Sequence, residues 1–177
     1  MLVYGARWLL NMRDIRRMLL CSLIIVVACF VGLGKARAGE NETETDTLAV
    51  KHTVLRYSQL LAEGYSKMNM TPLQAVATEE QASRVYRHMA ALGDASTRME
   101  SELKDIEFLD IQISDKDGAR VKTRERWNYI HHSMDTGLPR RTLVEGLIYE
   151  LAYNLVRQDS RWLVSSISVL SEERAKG

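Results

Sequence analysis

Two alternating stretches in the C-terminal half carry the side chains that could do chemistry. Polar and aromatic residues occupy every second position from Glu125 to His131, and the same spacing recurs from Glu145 to Tyr153. Successive residues of a β-strand point to opposite faces, so each set shares one face of a strand. The candidate pocket residues are Glu125, Trp127, Tyr129, His131, Glu145, Tyr149 and Tyr153. A carboxylate desolvated among them would have a raised pKa and could act as a general base.

The same residues have a second interpretation that involves no catalysis. Buried tyrosine hydroxyls need hydrogen-bond partners, and a glutamate is an ordinary one. The sequence alone does not place an acid or tyrosine pair that would stabilise an oxyanion beside such a base. We therefore predict a non-catalytic pocket and keep the general-base role of Glu125 or Glu145 as the alternative.

Other site chemistries lack their sequence signals. His131 and His132 are adjacent in a strand and point to opposite faces, while His52 and His88 lie in helical sequence without a partner ligand. There is no zinc spacing, no glycine-rich phosphate loop and no Ser/His/Asp order. We predict no metal and no cofactor.

The two alternating stretches must be strands that pair with each other. A wide loop over 133–141 contains Gly137 and Pro139, and a strand over 143–156 follows. Centring the loop near Gly137 places Glu125 opposite Tyr149, Trp127 opposite Leu147 and Tyr129 opposite Glu145, with His131 next to Leu143. Odd positions of the strand from 120 to 132 are predicted to point inward and even positions outward.

The elements ahead of these strands are helical. Apolar residues recur at helical spacing from Val50 through Leu61 to Tyr65, which predicts a helix over 47–67. Thr71-Pro72 indicates a short helix to about residue 77, and Thr78 with Gln81 reads as a capping box for a helix ending near Gly93. The remaining predictions are a strand over 102–114 with a bulge near Phe108-Leu109, a turn at 115–118, a strand over 162–170 and a charged tail at 172–177.

The element order resembles a known class of fold. The residues that carry the resemblance are Val121-x-Thr-x-Glu-x-Trp-x-Tyr129, Tyr149-Glu-Leu-Ala-Tyr153 and Asp159-Ser-Arg-Trp-Leu-Val164. Residues 47–171 resemble the cone-shaped nuclear transport factor 2-like superfamily, which includes SnoaL-like and ketosteroid-isomerase-like proteins. The resemblance implies an α+β fold, a cystatin-like cone with N-terminal helices packed on a curved antiparallel sheet. Many members place a strand between the second and third helices, and residues 72–92 leave no room for one.

The N-terminal 38 residues read as an export signal. Arg13, Arg16 and Arg17 precede an uncharged apolar run from Met18 to Gly34, and Ala36 and Ala38 occupy the small positions of a cleavage site. An uncleaved membrane anchor, a lipoprotein-type box ending at Cys29 and a buried helix of a cytosolic protein are the alternatives. A start at Met12 would give a more compact basic region. We expect a periplasmic or extracellular domain after an acidic linker at 39–46, or an inner-membrane-anchored domain if the run is retained.

Composition narrows the function further. Hydrophobic residues make up 46% of the chain and charged residues 27%, which is ordinary for a folded protein, and the net charge of +1 argues against nucleic-acid binding. Both cysteines, Cys21 and Cys29, lie in the apolar run, so the exported domain would have no disulfide and no thiol nucleophile. An outward basic row of Arg120, Lys122, Arg124 and Arg126 is predicted to protect a sheet edge, with anionic lipid contact as the alternative.

The sequence thus predicts an exported binding protein without catalytic activity. Its partners are a small apolar ligand in the pocket, or an envelope protein or second copy on the outer sheet face, where Val144, Ile148 and Val156 are apolar. Related folds often dimerise through that face, so we predict a homodimer. The alternatives are a SnoaL-like isomerase or hydrolase-type enzyme that uses a pocket carboxylate, and a scaffold subunit of an envelope secretion machine with an uncleaved membrane segment.

Overall fold

The computed structural model describes residues 43–114 and 117–174. The predicted export signal, its cleavage site at Ala36 and Ala38, the start at Met12 and both cysteines lie outside these residues. None of the helices within the described ranges is both long and apolar enough to cross a bilayer.

In the part of the chain from residue 43 onward, two helices and a short 3₁₀ helix precede the sheet. Helix α1 covers residues 43–67, the 3₁₀ helix covers Thr71–Ala75 with proline in its first turn, and helix α2 covers Glu79–Asp94. Residues 43–46, which we predicted as part of the acidic linker, are already helical. The reason is a tertiary contact: the Asp46 carboxylate accepts hydrogen bonds from the Arg157 guanidinium at 2.6 and 3.2 Å, which ties the first turn of α1 to the sheet.

The cap of α2 forms as predicted, but only in part. The backbone N–H of Gln81 donates to the Thr78 hydroxyl at 3.4 Å, which is one half of a capping box. The Gln81 side chain does not return to the cap. Instead its Nε2 donates to the Tyr57 hydroxyl at 2.8 Å, and both residues are buried. Gln81 therefore joins α2 to α1.

Four antiparallel strands follow in chain order within the described residues. They are β1 (Thr97–Ser114), β2 (Gly118–Ser133), β3 (Val144–Gln158) and β4 (Arg161–Arg174), and each pairs with the next. The fold is therefore α+β, with helices packed on an antiparallel sheet. The predicted bulge in β1 is confirmed as a register shift between Phe108 and Asp110, and a second shift lies between Leu103 and Asp105. Bulges bend a strand and increase its twist.

The first and last strands of the sheet are longer than predicted. β1 begins at Thr97 instead of residue 102, and β4 continues to Arg174, so residues 172–174 of the predicted tail are paired with β3. Between the 3₁₀ helix and α2, Ala77 makes a single parallel bridge with Val164. This bridge lies near the start of β4.

The face assignment of β2 is confirmed through Trp127. Val121, Thr123 and Glu125 are fully buried, whereas Arg120, Arg124 and Arg126 are exposed. The predicted edge-protecting role of the basic row is wrong, because β2 lies between β1 and β3. Acidic side chains on the neighbouring strands pair with the row instead: Arg126 with Asp105, Arg124 with Glu107 and Glu150, and Lys122 with Glu150. Hydrogen bonds from Lys122 and Arg124 lower the pKa of Glu150.

The core lies between the helices and the inner sheet face. Tyr57 and Val54 of α1, Leu73 of the 3₁₀ helix, and Tyr153 and Val164 of the sheet are almost completely buried. Burial of such side chains contributes about 25 cal/mol per Å² of apolar surface removed from water, so this layer supplies most of the stability. Trp162 also belongs to the core, and the Arg157 guanidinium lies over its ring at 5.2 Å.

Candidate functional site

An open cavity of about 230 Å³ lies between the C-terminal end of α1 and the inner face of the sheet. Three of the predicted pocket residues, Trp127, Tyr129 and Tyr149, form part of its wall. Leu61 and Tyr65 of α1 and Met99 and Ser101 of β1 complete the lining. Among the described residues, the lining carries no charged side chain, and its polar groups are hydroxyls and the indole N–H of Trp127.

Glu125 lies beneath the cavity wall, and its side chain is completely buried. Its carboxylate accepts three hydrogen bonds: from the Thr123 hydroxyl at 2.9 Å, from the Tyr153 hydroxyl at 2.7 Å and from the indole Nε1 of Trp127 at 2.8 Å. Thr123 and Tyr153 share Oε1, whereas Trp127 alone contacts Oε2. The carboxylate is not part of the cavity lining. A ligand in the cavity would meet the Trp127 ring rather than the carboxylate.

Tyr153 connects this carboxylate to the helices. Its hydroxyl also lies 3.4 Å from the Ser58 hydroxyl of α1, and its ring meets the Tyr57 ring edge-on at 6.2 Å. Desolvation, reinforced by the charge of Glu125, raises the pKa of Tyr153 well above its usual value. Tyr153 therefore acts as a buried hydrogen-bond donor within the core and does not line the cavity.

Tyr65 forms the helical side of the cavity and is held by α2. Its hydroxyl lies 2.5 Å from Nδ1 of His88, and the two rings meet edge-on at 5.5 Å. Burial raises the pKa of Tyr65 to about 12, so this hydroxyl stays protonated at physiological pH. Tyr149, on the opposite wall, also has a raised pKa because of burial and the nearby Glu172 carboxylate.

The predicted pairing of β2 with β3 holds for two pairs and then breaks. Glu125 lies opposite Tyr149 and Trp127 opposite Leu147, but Tyr129 pairs with Val144 and not with Glu145. The cause is one extra residue in β3, where Gly146 has a φ of +62° and its N–H donates to Oδ1 of Asn128 at 2.9 Å. A positive φ is readily adopted by glycine, which permits the bulge.

This bulge takes Glu145 out of the aromatic cavity. Glu145 is exposed and lines a separate, more polar cleft of about 550 Å³. That cleft shares Tyr129 and Ser101 with the cavity and also includes Glu100, Glu102 and Leu143. The two predicted carboxylates, Glu125 and Glu145, are therefore not brought together.

His131 lies beside the cavity rather than in its lining. Its ring meets the Tyr129 ring edge-on at 5.8 Å. Desolvation and the positive charge of Arg141 lower the pKa of His131, which favours the neutral imidazole. Within residues 43–114 and 117–174, no group of three or more potential ligands is arranged to hold a metal ion.

Comparisons with known proteins identify a fold but no family. No family model matches the chain, and no curated protein sequence matches it. The intermembrane-space region of the chloroplast protein ARC6 is similar, with a TM-score of 0.61 and 12% identity over 69% of this chain and 94% of that chain. Kfla4162 from Kribbella flavida has a TM-score of 0.49 and 19% sequence identity, and the match covers 74% of this chain and 95% of that chain. A periplasmic fragment of TraM has a TM-score of 0.48 and 6% sequence identity, and the match covers 67% of this chain and 96% of that chain. The similarity to the ARC6 region confirms the architecture of helices on an antiparallel sheet, and membership of the nuclear transport factor 2-like superfamily stays a prediction.

Proposed function

We propose that this chain is a non-catalytic binding protein that takes a small apolar ligand into the aromatic cavity. The observation that carries the proposal is the lining: Tyr65, Trp127, Tyr129 and Tyr149 surround the space with Leu61 and Met99, and no charged side chain of the described residues lines it. A concave, mostly apolar site with a few hydroxyl groups is the usual form of a small-molecule pocket.

The position of the carboxylates supports binding over catalysis. A general base must come within hydrogen-bond reach of the proton that it removes. Both oxygens of Glu125 already accept hydrogen bonds from the protein, and Glu125 is fully buried and is not among the residues that line the cavity. Glu145 faces the neighbouring cleft. The SnoaL-like enzyme alternative therefore has no base among the residues that line the cavity.

The dimensions of the cavity indicate the class of ligand. A dry engineered cavity of about 150 Å³ accepts benzene, so a space of about 230 Å³ suits a compound with one or two rings or a short acyl chain. The hydroxyls of Ser101, Tyr129 and Tyr149 could orient one polar substituent. Since the cavity is open to solvent, a longer ligand could extend from it.

A fluorescence titration with N-phenyl-1-naphthylamine, a neutral apolar probe, tests the proposal. We expect saturable binding, and we expect Ser101→Leu to weaken it by about tenfold because the larger side chain fills the cavity. Ser168→Leu is the matched control, since Ser168 is exposed on β4 and lies away from the cavity. Absence of saturable binding to the wild-type protein, or equal affinity in the two variants, would contradict the proposal.

The compartment belongs to the same proposal. The basic and apolar sequence ahead of Glu40 favours export, so we propose that binding takes place in the periplasm or outside the cell. The second candidate function is an envelope scaffold subunit with a retained membrane segment, which is favoured by the fold shared with the intermembrane-space region of ARC6. The intact mass of protein recovered from the envelope separates the two. Loss of residues 1–38 supports a free binding protein, and a full-length mass supports the scaffold.

A further inference from the structure

Trp127 has two contacts that belong to different parts of the molecule. Its ring forms part of the cavity wall, and its indole N–H donates to Oε2 of Glu125 at 2.8 Å. The carboxylate is itself held by the Thr123 and Tyr153 hydroxyls, which come from β2 and β3. Glu125 is thus fixed by two strands and in turn holds the Trp127 indole.

We propose that Glu125 is a positioning residue that acts through Trp127. Its buried carboxylate sets the orientation of the indole, and the indole sets the shape of the cavity and therefore the affinity for ligand. The inference rests on the proposed binding function, and it assigns to Glu125 a role other than that of a general base.

The donor inventory explains why a carboxylate stands at this position. The indole N–H can only donate, whereas threonine and tyrosine hydroxyls can donate or accept. Two carboxylate oxygens accept all three donors at once. An apolar side chain at position 125 would leave the buried Trp127 N–H without a partner, which is costly.

Glutamine is the informative substitution, because it keeps the size of Glu125 and removes one acceptor. If the single amide oxygen accepts from Trp127, the amide N–H₂ must donate to the Thr123 and Tyr153 hydroxyls. Both hydroxyls then change from donors to acceptors at this position. The Tyr153 hydroxyl would then have to donate to the Ser58 hydroxyl, which is 3.4 Å away. The amide also lacks the charge that strengthens these hydrogen bonds. The indole is therefore held less firmly in Glu125→Gln.

A double-mutant cycle distinguishes action through Trp127 from a general structural role. The variants are Glu125→Gln, Trp127→Phe and the double variant, with Glu107→Gln as the matched control on the exposed face of β1. We expect Glu125→Gln to weaken binding of N-phenyl-1-naphthylamine by about fivefold, corresponding to one weakened hydrogen bond to a charged group. In the Trp127→Phe background, where no indole N–H exists, the same substitution should change the affinity by less than about twofold. An equal loss in both backgrounds, or no loss in either, overturns the proposal.

A second readout needs no ligand. The Trp127 indole N–H resonance, identified as the one missing from Trp127→Phe, should shift and exchange faster in Glu125→Gln but not in Glu107→Gln. An unchanged resonance overturns the positioning role. If the wild-type protein fails to bind the probe, the proposed function fails, and the resonance still decides whether Glu125 positions Trp127.

Discussion

Replacing Tyr153 by phenylalanine should destabilise the fold strongly even though it removes a single oxygen atom. The Tyr153 hydroxyl donates to the fully buried Glu125 carboxylate at 2.7 Å, and Tyr153 itself is 2% exposed. A hydrogen bond to a charged group contributes about 1.5 to 3 kcal/mol, and its loss leaves a buried carboxylate with one donor fewer. Phenylalanine keeps the ring and its edge contact with Tyr57, so no cavity penalty is added. We expect the free energy of unfolding to fall by about 2 to 3 kcal/mol.

Urea unfolding monitored by tryptophan fluorescence measures this difference directly. The dependence on urea concentration should keep its slope, because the surface exposed on unfolding is unchanged. Tyr86→Phe is the matched control, since Tyr86 is 57% exposed, and it should cost less than about 0.5 kcal/mol. A loss below about 1 kcal/mol for Tyr153→Phe, or a loss equal to that of the control, would refute the reasoning that the buried carboxylate depends on this donor.

Three further predictions follow from other contacts. Burial raises the pKa of Tyr65 from its usual value of 10.0 to about 12 in the folded protein. The stability that its neutral form contributes is therefore complete below pH 10 and is lost as the pH rises towards 12. Over this pH range the urea midpoint of unfolding should fall less in Tyr65→Phe than in the wild-type protein. Asp46→Asn weakens the two hydrogen bonds to Arg157 and should lower the free energy of unfolding by about 1 to 2 kcal/mol, whereas Glu63→Gln in the exposed pair with Lys67 should cost less than about 0.5 kcal/mol in the same assay. Sedimentation velocity should show that the wild-type protein is a dimer. The variant Val169→Lys, which changes an exposed residue of β4, should be a monomer. A monomeric wild-type protein at high micromolar concentration would contradict the predicted homodimer.

The alternation of β2 allowed its inner face to be predicted from sequence. A strand repeats every two residues, so a run with apolar or aromatic residues at odd positions and basic residues at even positions has one interpretation. Val121 and Glu125 are fully buried and Arg124 is exposed, as expected. The pairing of Trp127 with Leu147 was also predicted correctly.

The pairing of Tyr129 with Val144, where Glu145 was predicted, depends on a contact that alternation along the strand does not reveal. The extra residue in β3 is accommodated by the N–H of Gly146 and the side chain of Asn128, which are far apart in sequence. A signal was available, since an isolated glycine inside a strand pattern often marks a bulge. Simple alternation gives Gly146 no such role and therefore places Glu145 opposite Tyr129.

The cavity lining was predicted in part for a related reason. Leu61 and Tyr65 belong to the apolar stripe of the first helix, so their inward direction was evident from helical spacing. Met99 and Ser101 were missed because the strand was predicted to begin at residue 102. Strand parity also does not tell a side chain that lines a cavity from one that lies beneath it, as Trp127 and Glu125 illustrate. That distinction depends on where the helices lie on the sheet.

The bulge at Gly146 has a consequence for how new activities could arise on this scaffold. The bulge decides whether the Glu145 carboxylate faces the aromatic cavity or points away from it. If the register of Trp127 and Leu147 continued without the bulge, Glu145 would lie opposite Tyr129 and face the cavity. Deleting Gly146 would not have this effect, because Glu145 would then lie directly before Leu147 and point to the outer face. A shift of one residue in the pairing of β3 with β2, rather than the loss of a residue, would thus be a short evolutionary step from binding an apolar molecule to reacting with it.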